Sequence, residues 1–170
     1  METLTPAQMD EIDICLQIIN DGKIFQHEQG FTQWTDDYPN RKTLLDDIHK
    51  QKGYVLKIDG SIACYMCIDF DGEPAYQNIK GKWLTASEAY AVIHRMAFGH
   101  TFRNSGLTAV VFPLIEESCL SKNIGSIRVD TDFPNKRMQH ILKKHGFIYC
   151  GTVVFQGSDK LAYEKVLTSK

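Results

Sequence analysis

Apolar residues recur at changing spacings along this chain, and each change of spacing marks an element. Ile12, Cys15, Leu16 and Ile19 fall three or four apart, which predicts a first helix running to about residue 21 or a little beyond. Thr5-Pro6 offers its start, with a hydroxyl cap and a proline in the first turn, where a missing N–H costs nothing. Leu44, Leu45 and Ile48 predict a second helix over about 40–51, after an aromatic-rich connection at 30–39. The runs 54–58 and 62–70 flank Asp59-Gly60, a two-residue turn signature, and read as a hairpin. Residues 71–85, punctuated by Gly72, Pro74 and Gly81, read as a long loop. A strand at 90–98 leads through a polar turn into a helical stripe of Val111, Leu114, Ile115 and Cys119 over 108–122. Pro113 inside that stripe should kink the helix or mark a late start. A short strand at 126–130 and a helix over 135–145, stopped by Gly146, come next. The chain closes with an antiparallel pair, 147–155 and 161–166, around Gly157-Ser-Asp.

The order α-α-β-β-β-α-β-α-β-β mixes hairpins with two strand–helix–strand crossovers. It predicts an α/β chain with one mixed, mostly antiparallel sheet of about six to seven strands and about four helices, on both faces. The 170 residues suffice for a single domain with a substantial core, and no repeat or low-complexity linker divides them.

Composition narrows the function. A net charge of −2 with no block of Lys or Arg argues against a nucleic-acid groove. No apolar run approaches the roughly 20 residues that span a bilayer, and the first residues lack a secretory pattern. Five cysteines, an odd count, point to free thiols and a reducing compartment, with cytoplasm the default. Cys64 and Cys67 lie three apart on a strand and so face opposite sides, and no second pair completes a metal site. His100, His140 and His145 show no metal-ligand spacing, so no metal is expected.

The chemistry concentrates at the turn Gly99-His-Thr-Phe-Arg-Asn-Ser-Gly-Leu-Thr108. A strand that ends in such a turn before a helix presents orphan amides and a helix dipole to one spot, which favours an anion. Arg103-Asn-Ser-Gly106-Leu-Thr108 resembles the acyl-CoA signature R/Q-x-x-G-x-G/A of the GNAT N-acetyltransferases, with Thr at the last position. Asn135 through Phe147 resembles that family's N-x-x-A-x-x-L-Y-x-K-x-G-F pattern. Asn135, Lys144, Gly146 and Phe147 match; Met138 replaces the usual Ala and Leu142 the usual Tyr.

That resemblance covers nearly the whole chain and implies an N-acetyltransferase using acetyl-CoA, without a metal, on a primary amine of a small molecule or peptide. It implies that the amides of Arg103, Asn104, Ser105, Gly106, Leu107 and Thr108 cradle the pyrophosphate, an anion nest at a helix N-terminus. It also implies that the strands at 90–98 and 126–130 splay, so that the pantetheine arm pairs with main-chain groups of Met96, Ala97 and Phe98. Asn135 then bonds the arm or acetyl end, or simply caps the last helix. Homodimers are common in such a family.

His94 is the candidate base, since an imidazole suits proton uptake from an ammonium; a buried structural histidine is the other reading. Arg95 should face the other side and pair with a carboxylate of the acceptor or with a structural Asp, the structural role being favoured. Leu142 carries no proton, so the acid role common at that position is vacant or filled elsewhere. Trp34, Tyr38, Tyr76 and Trp83, with Asp36, Asp37, Asp71 and Glu73, are candidates for the acceptor rim, because ring faces and carboxylates hold cations. A non-catalytic acyl-CoA-binding or regulatory module is the rival function.

Overall fold

The computed structural model describes residues 1–86 and 89–168. Among the described residues, eight strands are hydrogen-bonded in the order β1-β2-β3-β5-β6-β8-β7-β4, mostly antiparallel with one parallel pair, β5 and β6. The strands are β1 (Glu2–Pro6), β2 (Gly53–Ile58), β3 (Ser61–Asp69), β4 (Lys80–Gly81), β5 (Ala91–Phe98), β6 (Ser126–Thr131), β7 (Ile148–Phe155) and β8 (Ser158–Val166). The helices are α1 (Ile12–Glu28), α2 (Arg41–His49), α3 (Thr108–Ser121) and α4 (Lys136–Lys144). The class is therefore the expected mixed α/β, with two strands that local pattern did not show, β1 and β4.

The chain divides into two compact units. The first comprises Met1–Ile68 and His94–Leu114. Here Thr5-Pro6 does not start a helix. Residues 2–6 pair antiparallel with β2, Leu4 opposite Leu56, and long-range pairing overrides the local cap signal. The first α-helix starts at Ile12 and runs to Glu28, past the expected end. Gly22 does not stop it; a Cβ there would sit 2.9 Å from the Trp34 ring, so the missing side chain is space for the indole. Ile12, Cys15, Ile18 and Ile19 of α1 and Leu44 of α2 pack with Val55, Tyr65 and Ala97 into one core. Asn40 caps α2 by accepting from Thr43 N at 3.0 Å.

The second unit comprises Asp69–Ile93 and the described residues from Ile115 onward. The ladder between β5 and β6 spans two residue pairs, Ala91↔Ile127 and Val92↔Arg128. β8 lies antiparallel between β6 and β7, so the α4 crossover joins two parallel strands that are not neighbours. Its core gathers Tyr76, Tyr90, Val92, Val153 and Ala162. The closing hairpin turns at Gln156 (φ +53°) and Gly157 (φ +80°), one residue earlier than expected. The loop at 71–85 contains a 3-10 turn (Pro74–Asn78) and β4, which pairs with β7. Gly81 and Gly151 face each other in that pair, and a Cβ on either would strike backbone of the opposite strand. α3 runs unbroken through Pro113 from Thr108, so the proline does not mark a late start.

Candidate functional site

In the first unit, β5 ends where Gly99 N donates to Ala63 O at 2.8 Å. A 3-10 turn, His100–Phe102, follows and leads into an irregular corner with Asn104 at φ +60° and Gly106 at φ +77°. Such a φ suits glycine, and a Cβ at Gly106 would point into open space. Ala109 N and Val110 N turn back to Gly106 O and Leu107 O, which starts α3. Among the described residues, the backbone amides of Ser105, Gly106 and Leu107 donate to no protein acceptor. Asn104, Ser105 and Gly106 are exposed. The corner thus offers uncommitted amides at a helix N-terminus, an anion-binding geometry.

α1 ties this corner down. Asp21 Oδ2 accepts from His100 N at 3.3 Å, and the Asp21 carbonyl accepts from the Arg103 guanidinium. That guanidinium lies 4.4 Å over the Phe25 ring. Arg103 therefore positions the turn through its side chain.

β5 itself carries an irregularity. Arg95 has φ +55°, a left-handed conformation in the middle of a strand, between His94 and Met96. Its side chain is held from three sides. Nε donates to Asp47 Oδ2 at 3.0 Å, Nη2 to Asp47 Oδ1 at 2.6 Å, and Nη1 to the Tyr38 hydroxyl at 2.9 Å. The Tyr65 hydroxyl also donates to Asp47 Oδ2, at 2.6 Å. Burial works against the Arg95 charge, but the bond to Asp47 and the electrostatic pull of Cys67, Asp47 and Tyr38 together outweigh it and raise the guanidinium pKa. Burial and the Asp47 charge likewise keep the Tyr65 phenol protonated. The structural Asp expected for Arg95 is Asp47. His94, Met96 and Phe98 are half-buried and Ala97 is buried. Of the acceptor candidates, Trp34 packs with the core that includes Ala97, and Tyr38 meets Arg95, so the 30–39 connection reaches β5.

In the second unit, Asn135 caps α4, its side-chain oxygen accepting from Met138 N at 3.1 Å. Leu142 is completely buried, a core residue at the position where the family pattern carries Tyr. Tyr76 is 1% exposed and gives its hydroxyl proton to Asp130 Oδ2 at 2.6 Å, so its ring is core, with no face open to an acceptor. Trp83 stands 5.2 Å from the Tyr76 ring and donates to Tyr76 O.

Sequence reasoning passed over the most connected group in this unit. Glu164, fully buried, accepts from Ser126 Oγ, Arg128 Nε, Thr85 Oγ1 and the amides of Leu84 and Thr85. The Arg128 guanidinium lies 4.0 Å from the Tyr90 ring and 4.4 Å from that of Trp83. Burial opposes the Glu164 charge, but the bonds from Ser126, Thr85 and Arg128 prevail and hold its carboxyl below the usual range. Asp130 is pushed the other way by burial. The available signal was Ser126, Arg128 and Asp130 at alternate positions of one strand, a polar row on a single face.

All five cysteines are buried free thiols. Burial pushes Cys15 and Cys119 up to about 12, and Cys64 higher still, which keeps them unreactive. Among the described residues, no three His, Cys, Asp or Glu side chains gather as a metal site, and no helix is long and apolar enough to cross a membrane.

The mixed sheet with its turn before α3 is a fold shared with a solved acetyltransferase. Residues 21–147 match the model of the Acetyltransferase (GNAT) family, and the chain belongs to that family. An acetyltransferase of the GNAT family from Streptococcus agalactiae 2603 is 33% identical, with 99% of this chain and 96% of that one covered and a TM-score of 0.91. One from Listeria monocytogenes 4b F2365 is 18% identical over 98% and 95% of the two chains, with a TM-score of 0.76. An N-acetyltransferase from Staphylococcus aureus Mu50 is 16% identical over 99% of each, with a TM-score of 0.64. The last two speak for the fold alone. No curated protein sequence matches the chain.

Proposed function

We propose that residues 1–170 form a single N-acetyltransferase domain that moves acetyl from acetyl-CoA to a primary amine of a small molecule or peptide, by direct attack in a ternary complex. The observation that carries this reading is the corner at Ser105, Gly106 and Leu107, whose amides have no protein acceptor among the described residues, in a chain of the GNAT family. The pyrophosphate fits there, because amides and helix dipole meet it together. Main-chain groups of Met96, Ala97 and Phe98 take the amides of the pantetheine arm. Asn135 serves α4 first, and a bond to the arm is its second role.

The thioester supplies an activated acyl group and a thiolate that leaves without a strong acid. Leu142 is consistent with a reaction that needs no dedicated acid there. The attacking amine must be neutral, and His94 takes its proton through water. Trp34 and Tyr38 line the acceptor side, with Trp83 as a further candidate. Five reduced thiols support a reducing compartment such as the cytoplasm, and pairing as a homodimer belongs to the same reading.

The test is thiol release against a panel of amines, run beside acetyl-CoA binding, on the unaltered chain and on Gly106→Glu. The expected result is thiol release with at least one amine, and loss of acetyl-CoA binding in a folded Gly106→Glu. Unchanged affinity in that variant refutes the cradle. Tight binding with no thiol release on any amine favours the second reading, a non-catalytic acyl-CoA-binding module, which the missing Tyr at Leu142 keeps in play.

A further inference from the structure

Among the described residues, six non-glycine positions have positive φ: Gln51, Asp59, Arg95, Asn104, Asn123 and Gln156. Arg95 alone among them lies inside a strand, and the others lie outside helices and strands. An arginine in this conformation is strained and persists only where its surroundings over-determine it. Here they do. Asp47 grips the guanidinium through two oxygens, Tyr38 takes a third N–H, and Tyr65 fixes the carboxylate from behind. Asp47 and Arg95 are both largely buried. The strained residue stands between His94 and Met96, one flanking group proposed as base and the other as a partner of the acyl carrier.

We propose that Asp47 is a positioning residue for acetyl transfer: through Arg95 it holds the left-handed kink of β5 that orients the His94 side chain and the Met96 peptide. Asp47 touches neither substrate nor reacting atoms. It acts by making a backbone conformation permanent that arginine would otherwise leave. This rests on the acetyl-transfer reading of the site.

The kink, not the ion pair as such, is what the reaction needs, and glycine separates the two. Glycine accepts positive φ freely, whereas alanine there is disfavoured by about tenfold in population. Two double variants, Asp47→Ala/Arg95→Gly and Asp47→Ala/Arg95→Ala, both lack the clamp and both lack an unpaired buried charge. They differ only in their tolerance of the left-handed backbone. The measurements are kcat and KM for acetyl-CoA, with the thermal midpoint of each as a check on folding. A loss of alignment costs up to about 100-fold in rate. The expected result is a kcat up to about tenfold higher in the glycine variant than in the alanine variant, at similar KM. Equal kcat in two folded variants overturns the inference, as does a wild-type kcat in the alanine variant. If the unaltered chain releases thiol with no amine at all, the acetyl-transfer reading itself has failed, an outcome separate from equal rates in two active variants.

Discussion

His94 and Arg95 are adjacent in sequence; Arg95 serves the scaffold, and His94 is the proposed base. Arg95 spends its guanidinium on Asp47 and Tyr38. His94 is half-buried on the same strand, so a water path to it is compatible with its setting. A base acts on the rate and barely on cofactor affinity. His94→Ala is therefore expected to lower kcat about 100-fold or more while acetyl-CoA affinity stays within about threefold. Steady-state kinetics beside a binding titration checks this, and an unchanged rate across neutral pH removes the assignment. At this scale the sequence was informative where local chemistry decides. The turn at 103–108 and the cap at Asn135 were legible because amides, glycine and a short polar side chain act within a few residues of themselves. Asp47 as the partner of Arg95 was not legible, because the two are 48 positions apart and only the fold brings them together.

Among the elements, β6 shows how one strand organises a buried polar layer. Its alternate residues Ser126 and Arg128 meet Glu164 of β8, which also gathers Thr85. Removing one member of such a buried pair strands the other, at about 3–5 kcal/mol. Glu164→Gln is therefore expected to be destabilised by about that amount at neutral pH. The folded-state pKa of Glu164 lies below its ordinary value of 4.5. Its contribution is therefore complete above 4.5 and fades as pH falls through the lower folded value. The stability gap between the unaltered chain and Glu164→Gln should narrow on acidification below that point. Denaturant unfolding of both proteins from neutral pH downward reads this directly. Asp130, whose pKa is raised, gains stability over the same descent in both proteins and drops out of the difference. The strands β2, β3, β5, β7 and β8 were readable from alternation and turn residues. β1 and β4 were not, because five and two residues respectively carry too little pattern and are strands only by virtue of a distant partner.

For the molecule as a whole, the order of elements was more diagnostic than any single motif. Strand, turn, helix, strand and Asn-capped helix follow one another as the family pattern requires, although the motifs themselves depart from it at Thr108, Met138 and Leu142. Those departures also mark where the sequence stopped speaking. It named an acceptor rim from aromatic and acidic residues of two loops, and Tyr76 fills a core instead, since an aromatic ring serves burial as readily as recognition.

The facing glycines of β4 and β7 carry a consequence for the behaviour of the protein in solution. β4 is only two residues long, yet it occupies a stretch of the outer rim of β7 that would otherwise offer bare peptide groups to any passing chain. Gly151→Ala sets a methyl against the backbone of Lys80 and pries that short guard away. The expected phenotype is aggregation: rising light scattering on gentle warming, with acetyl-CoA affinity intact in whatever stays in solution. A two-residue strand then counts less as architecture than as a lid on stickiness, and its worth would be read in solubility, not in turnover.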